Sequence, residues 1–357
     1  EQSGVIQDAG SCRLTCGTGA GPCRVFPLLL ALAIAAAIAV WRMSTSEVYA
    51  GAALPLLVAG EAHIPYQYRV LVPLLVRGAE GVGLGAPLAQ LLAPLGLDRV
   101  AAALGAAPEL ASIFLAVEIV SLWALLVSFW ALACRILRSS SAKVTALLVL
   151  VAALLVLPRL SQESRLWYPS DIPAIFVVVL AYLTLFSKRL AAFCLVFVLG
   201  TLNRETTIFL LPLVVLLPTA VTGARQPWMV VSVLGAFWVA LKAALFVAYR
   251  GNHGYPVHPN IVVNIEILSS WQVAVAAAAA LMAIVFLGVH VVRKTHDERL
   301  KAALQAAALF FMVILFAGKI DEFRVYLELV PLAALVVAGV SDSAGPKQMP
   351  TQAHGAD

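Results

Sequence analysis

Residues able to do chemistry are sparse in this chain and recur in short clusters between long apolar blocks. Asn203, Arg204 and Glu205 stand in LNRET, with an apolar run before them and IFLLPLVVLL after. A guanidinium there suits an anionic headgroup, which Arg grips through a bidentate fork that Lys lacks. A tight turn whose Arg and Glu pair with neighbours would use the same residues. GKIDEFRVYLELVP carries Lys319, Asp321, Glu322, Arg324, Tyr326 and Glu328 at the entrance of a late apolar block. Asp321, Arg324 and Glu328 fall on one helical face, as an intrahelical ion ladder or as further contacts to a ligand. Glu47, in STSEVYAG, is a lone carboxylate just past the first apolar block and has the chemistry of a general base.

PYQYRVLVP holds Tyr66, Tyr68 and Arg69, and SRLWYPSDIP holds Arg165, Trp167, Tyr168 and Asp171. The two tyrosines of the first segment suit a site or an interfacial anchor equally. Glu118 and Lys242 fall within apolar blocks, where each must pair with another block or line a cavity. His253 and His258 lie near Asn260 and Asn264, but that spacing is no metal pattern. Cys12, Cys16 and Cys23 lack a fourth ligand. No metal and no cofactor are expected.

These groups must be positioned by helices. A chain of 357 residues that is 62% hydrophobic and 12% charged lies outside soluble composition. Its blocks have the length that crosses a hydrocarbon core of about 30 Å, where only helices or closed barrels satisfy the backbone. The expected fold is an all-α, polytopic transmembrane helical bundle of about ten spans. They run at 24–41, 110–134, 143–158, 171–187, 190–202, 206–218, 228–249, 271–292, 302–318 and 324–340. The stretch 42–109 is broken by Pro65, Pro73, Pro87 and Pro94, which predicts short helices in the interface rather than a span. The short pieces 190–202 and 206–218 are candidate half-helices meeting at a polar break. Residues 1–23 read as a disordered or non-native leader, 24–340 as the membrane domain and 341–357 as a flexible tail.

The net charge of +5 does not indicate nucleic acid, because the basic residues sit in short connections rather than on one face. Lys and Arg instead set orientation. Connections 135–143, 187–189, 293–301, the one holding Arg225 and the tail fall on one side, predicted to be cytoplasmic with both termini. The polar clusters fall on the other side. The lipid bilayer is thus a partner by composition.

Together, SEVY after the first span, PYQYRVLVPLL, YPSDIPAIFVVVLAYLTLF, LNRETTIFLLPL and FRVYLELVPLAAL resemble the GT-C superfamily of polytopic glycosyltransferases, in particular its bacterial members. The resemblance covers most of the chain from Arg24 to Val340. It implies a GT-C-like bundle with interfacial helices over a cavity, placed in a bacterial plasma membrane. It also implies transfer of sugar from a polyprenyl-phosphate donor to a lipid-linked or small acceptor on the non-cytoplasmic side. Glu47 would be the base, where the superfamily more often has Asp. Arg204 and Arg324, with Arg69 and Lys319 in reserve, would hold the phosphate. Tyr68, Asn203, Glu205, Asp171 and Tyr168 complete the substrate-binding set. The alternative is a transporter or flippase of a lipid-linked or anionic solute, since discontinuous helices also bind substrate in transporters.

Overall fold

The computed structural model describes residues 25–160, 166–218, 222, 225–254, 261–269, 289, 293, 297–317 and 323–343. The leader 1–23, the expected span 271–292 apart from Val289, Lys319, Arg165, His258 and the end of the tail lie outside the described residues. Within them the regular structure is helical, with two isolated bridges, Glu47 to Leu166 and Ile64 to Gly254.

Helix α1 (Val25–Thr45) is an unbroken run of Ala, Leu, Ile and Val. It extends a turn beyond the expected boundary, because Arg42 is buried against neighbouring helices rather than solvated. The Ser46 hydroxyl closes its end by donating to the Arg42 carbonyl at 2.6 Å. The following stretch is divided by its prolines and glycines into α2 (Leu54–Ala59), α3 (Leu71–Gly81), α4 (Gly85–Leu92) and α5 (Leu97–Leu104), as the sequence predicts. Leu71–Gly81 and Gly85–Leu95 form a bent pair, turning 99° at the break.

Helix α6 (Pro108–Ile136) starts with Pro at its first position, where a missing N–H costs nothing. It is the centre of the assembly, packed on by α1, α4, α5 and α8 (Asp171–Phe186). Phe114, Leu122, Leu125 and Phe129 of α6 are fully buried in that seam. Helix α7 (Ser140–Val156) is capped by the Ser139 hydroxyl, which accepts from the Ala142 N–H at 3.2 Å. α8 is followed by α9 (Leu190–Asn203), a turn of 3-10 helix (Glu205–Leu210) and α10 (Leu211–Leu216). Then come α11 (Pro227–Ala248), α12 (Ile261–Ser269), α13 (Glu298–Ala317), a 3-10 turn (Phe323–Leu329) and α14 (Val330–Ser343). α10 packs on α11 and α13, and α14 packs on α7.

Four described helices are long and apolar enough to cross a membrane: Phe26–Thr45, Pro108–Ile136, Ser140–Arg159 and Pro227–Ala248. The bent pair raises this to five if it is one span. Asp171–Phe186, Leu190–Asn203, Glu205–Leu216 and Tyr326–Gly339 are apolar but shorter. The fold class among the described residues is therefore helical, with four or five candidate membrane-spanning helices.

The α8–α9 seam depends on one small residue. A Cβ added at Gly200 would stand 2.6 Å from Val177 Cγ1 and 3.0 Å from two atoms of Thr207. Gly200→Ala should therefore cost about 1–3 kcal/mol through overpacking, despite the better helix propensity of Ala. Thermal unfolding in detergent measures this, and an unchanged midpoint would show that the seam yields.

Candidate functional site: a buried ion network

The helix break predicted at LNRET is present. α9 ends at Asn203, and Arg204 is extended, with φ −155° and ψ 146°. The chain then winds as 3-10 helix until Pro212 near the start of α10. Thr207 stabilises the break by donating its hydroxyl to the Arg204 carbonyl at 2.9 Å. Leaving the helix there turns the Arg204 side chain toward the start of α8 and the 3-10 turn before α14.

Arg204 is buried, 3% exposed, between two acids that are also buried. Its Nη1 lies 3.4 Å from Asp171 Oδ1 and 3.0 Å from Glu328 Oε1. Glu328 also accepts from the Thr206 hydroxyl at 2.9 Å. Asn203 Nδ2 donates to the Ser170 carbonyl at 2.9 Å, which ties the end of α9 to the start of α8. Charges this deep cost several kcal/mol each unless paired.

A second pair adjoins the first. Arg69 Nη2 donates to Glu205 Oε1 at 3.1 Å, with the Arg69 side chain buried and that of Glu205 41% exposed. Burial opposes the charge on Arg69, but attraction to Glu205 and Asp171 outweighs it and raises its pKa further. Trp238 of α11 donates its indole N–H to the Glu205 carbonyl at 3.1 Å. Lys242, one turn further along α11, acts electrostatically on Glu205. A third pair joins α1 to α6, with Arg42 Nε 3.4 Å from Glu118 Oε1 and both residues buried. Asp171 is near enough to act on Glu118, linking this pair to the others. Arg42, Arg69, Arg204 and Lys242 thus equal in number Glu118, Asp171, Glu205 and Glu328, with Arg204 taking two of the acids and Lys242 in no ion pair among the described residues.

Outward from Arg69 runs an aromatic wall. The Arg69 guanidinium lies 5.6 Å from the Tyr66 ring centre, and Tyr66 stacks on Tyr168 at 4.8 Å. Tyr49 meets Tyr66 at 5.5 Å, and its hydroxyl is 3.2 Å from His63 Nδ1. His63 lies 5.9 Å from His253, ring centre to ring centre. The loops carrying these histidines are latched, since the Ile64 N–H donates to the His253 carbonyl at 2.9 Å. Gly254, at φ 105°, lets the Ile64 carbonyl approach where any Cβ would collide. Glu47 joins the same region through its backbone, its carbonyl accepting from the Trp167 N–H at 2.8 Å. Its side chain is exposed.

Comparison with known protein families, curated proteins and solved structures finds no match to this chain. The functional reading therefore rests on the site's own chemistry.

Of the residues singled out from sequence, the structure brings Arg69, Asp171, Asn203, Arg204 and Glu205 into one cluster. Tyr168 borders it through Tyr66, and Tyr68 is buried next to Arg69 in the chain. Glu47 is tethered beside Trp167, and among the described residues its carboxylate pairs with none of the cluster's arginines. The Arg324 side chain, like Lys319, lies outside the described residues. Glu328 pairs with Arg204 across the bundle, a role that its place in a local ladder does not signal. Arg42, His63 and Trp238 are participants that sequence reasoning missed. Only Arg42 carries a signal, as a cation ending an apolar span that must answer a carboxylate such as Glu118 elsewhere. The cavity beside Glu328, between Tyr182, Thr206 and Phe310, holds about 20 Å³. That admits about one water and no sugar.

Proposed function

We propose that this protein is a GT-C-like membrane glycosyltransferase of about ten spans. It moves sugar from a polyprenyl-phosphate donor to a lipid-linked or small acceptor on the non-cytoplasmic side of a bacterial plasma membrane. Both termini are cytoplasmic in this reading. The observation that carries it is the gathering of Arg69 and Arg204 around Glu205 and Asp171, bordered by the exposed carboxylate-bearing segment at Glu47. Carboxylate and guanidinium are the groups that the transfer requires. The acceptor hydroxyl oxygen forms a bond to the anomeric carbon while the bond from that carbon to the phosphate oxygen breaks. Glu47 takes the hydroxyl proton. The polyprenyl phosphate departs with the electron pair, and guanidinium N–H groups stabilise its charge. Arg324 and Lys319 are further cations for that role, with Tyr68, Tyr168, Asn203, Asp171 and Glu205 shaping the site.

The break at Arg204 favours one other reading, a transporter or flippase of an anionic or lipid-linked solute, because interrupted helices commonly bind transported substrate. Arg69, Asp171, Arg204 and Glu205 stand beside helix ends, although Glu118 and Lys242 lie within helices, and the placement of those four supports the transferase. Purified protein with a polyprenyl-phosphate sugar should unfold about 2–4 °C higher than without it and should consume the donor when a lipid acceptor is present. Donor-independent stability, no transfer, and flux of the lipid across vesicles would replace this function with the alternative.

A further inference from the structure

The guanidiniums of the network are not equally available. Arg204 lies between two buried carboxylates, and an incoming anion would have to separate both from it. Arg69 differs. Nε and Nη1 of both arginines are buried with no hydrogen-bond partner among the described residues, so the difference lies in the acids: a single carboxylate holds Arg69, at its Nη2. The carboxylate that holds it, Glu205, is the exposed member of the pair. An anion arriving from that side meets Glu205 first, and two donors of the Arg69 fork stand without acceptors beyond it.

Lys242 supplies the second observation. Its Nζ is buried and has no hydrogen-bond partner among the described residues. An unpaired ammonium within an apolar helix is costly and calls for an acceptor in some working state. The charges acting on it are Glu205, which attracts it, and Arg69, which repels it. Trp238, four residues earlier and on the same helical face, already holds the Glu205 carbonyl. α11 therefore fixes the Glu205 backbone and offers its side chain a second cation.

We propose that Arg69 is the anion seat of this protein, that Glu205 is its built-in occupant, and that an arriving phosphate group hands Glu205 from Arg69 to Lys242. The exchange leaves neither Arg69 nor Glu205 unpaired in either state. Without it, a bound phosphate would sit beside a displaced carboxylate and repel it. With it, the ligand's charge answers Arg69, and Glu205 answers a cation that otherwise has no acceptor. The ligand is a phosphate monoester or diester, free or on a lipid. Its assignment to a lipid-linked donor rests on the function proposed above, whereas the exchange does not.

The test is a double-variant cycle on the full chain in detergent, with Glu205→Gln, Lys242→Met and both together. Apparent affinities come from ligand-dependent unfolding temperatures, using decaprenyl monophosphate in one arm and inorganic phosphate in the other. Glu205→Gln removes the occupant and should tighten binding about five- to tenfold, and Lys242→Met removes the receiver and should weaken it by a similar factor. In the Gln background there is no carboxylate to relocate, so Lys242→Met should change affinity less than about twofold. Lys242→Arg keeps a receiver and should bind like wild type, which serves if the Met variant fails to fold. Weakening by the same factor in both backgrounds overturns the exchange, because Lys242 then acts only as a distant positive charge. Decaprenyl phosphate bound equally by all variants also overturns it, yet leaves the donor reading standing. A cycle obeyed by inorganic phosphate alone supports the exchange and removes the lipid donor. No response to either anion overturns the seat.

Discussion

Arg204→Met should lower the stability of the protein by about 3–5 kcal/mol, the cost of leaving buried charge uncompensated. The substitution retains much of the side-chain volume, so the loss is electrostatic rather than a cavity. Asp171 and Glu328, both buried, face the guanidinium from two elements. Arg204→Lys should fall between, because a single ammonium cannot reach both carboxylates with the geometry of a guanidinium. Adding Glu328→Gln to the Met variant should recover part of the loss, since it removes the buried carboxylate that lies 3.0 Å from the lost guanidinium. Thermal unfolding in detergent, with the yield of monodisperse protein, is the measurement. A Met variant as stable as wild type would mean that the two acids are already neutral or solvated, and the network would lose its role in the fold.

Glu47→Gln separates chemistry from structure in the opposite sense. If Glu47 is the base, transfer should fall by about 10²–10⁴-fold, the usual contribution of a positioned proton acceptor. Stability should stay within about 0.5 kcal/mol of wild type, as for other exposed substitutions. The reason lies in how the segment is held: the Glu47 main-chain carbonyl, not its carboxylate, accepts from the Trp167 N–H. The amide keeps that bond and the side-chain size but cannot take a proton at neutral pH. Binding of the polyprenyl phosphate should also survive, because Arg69 and Arg204 are untouched. Undiminished transfer by the variant removes Glu47 from the mechanism; lost transfer together with lost folding assigns it to structure.

Much of the helical plan was legible because its causes are local. Apolar runs of the right length must be helices in lipid, and the runs at α1, α6, α7 and α11 are. Pro and Gly between residues 42 and 109 divide that stretch wherever a continuing helix would need their N–H or tolerate their freedom. The polar break at Arg204 was legible for the same reason. Two threonines and Pro212 follow it within one short segment, and Thr207 meets the freed Arg204 carbonyl from within the turn.

Partners were not legible, because pairing between helices depends on which faces meet. Arg324 and Glu328 are four apart, and local spacing alone links them. The structure instead gives Glu328 to Arg204, where a buried carboxylate meets a buried cation and Thr206. Lys242 and Glu118 each stood in an apolar block with no local partner in view, and only packing put Glu205 near the first and Arg42 beside the second. The sequence by itself determined that this is a helical protein with helices long and apolar enough to span a membrane and with most of its charges between them, because hydropathy and backbone hydrogen bonding act over one turn to one span. Tertiary structure alone decided which of those charges neutralise one another and that Arg69 is held by a single exposed acid, because ion pairing in a bundle is set by distances between elements far apart in the chain.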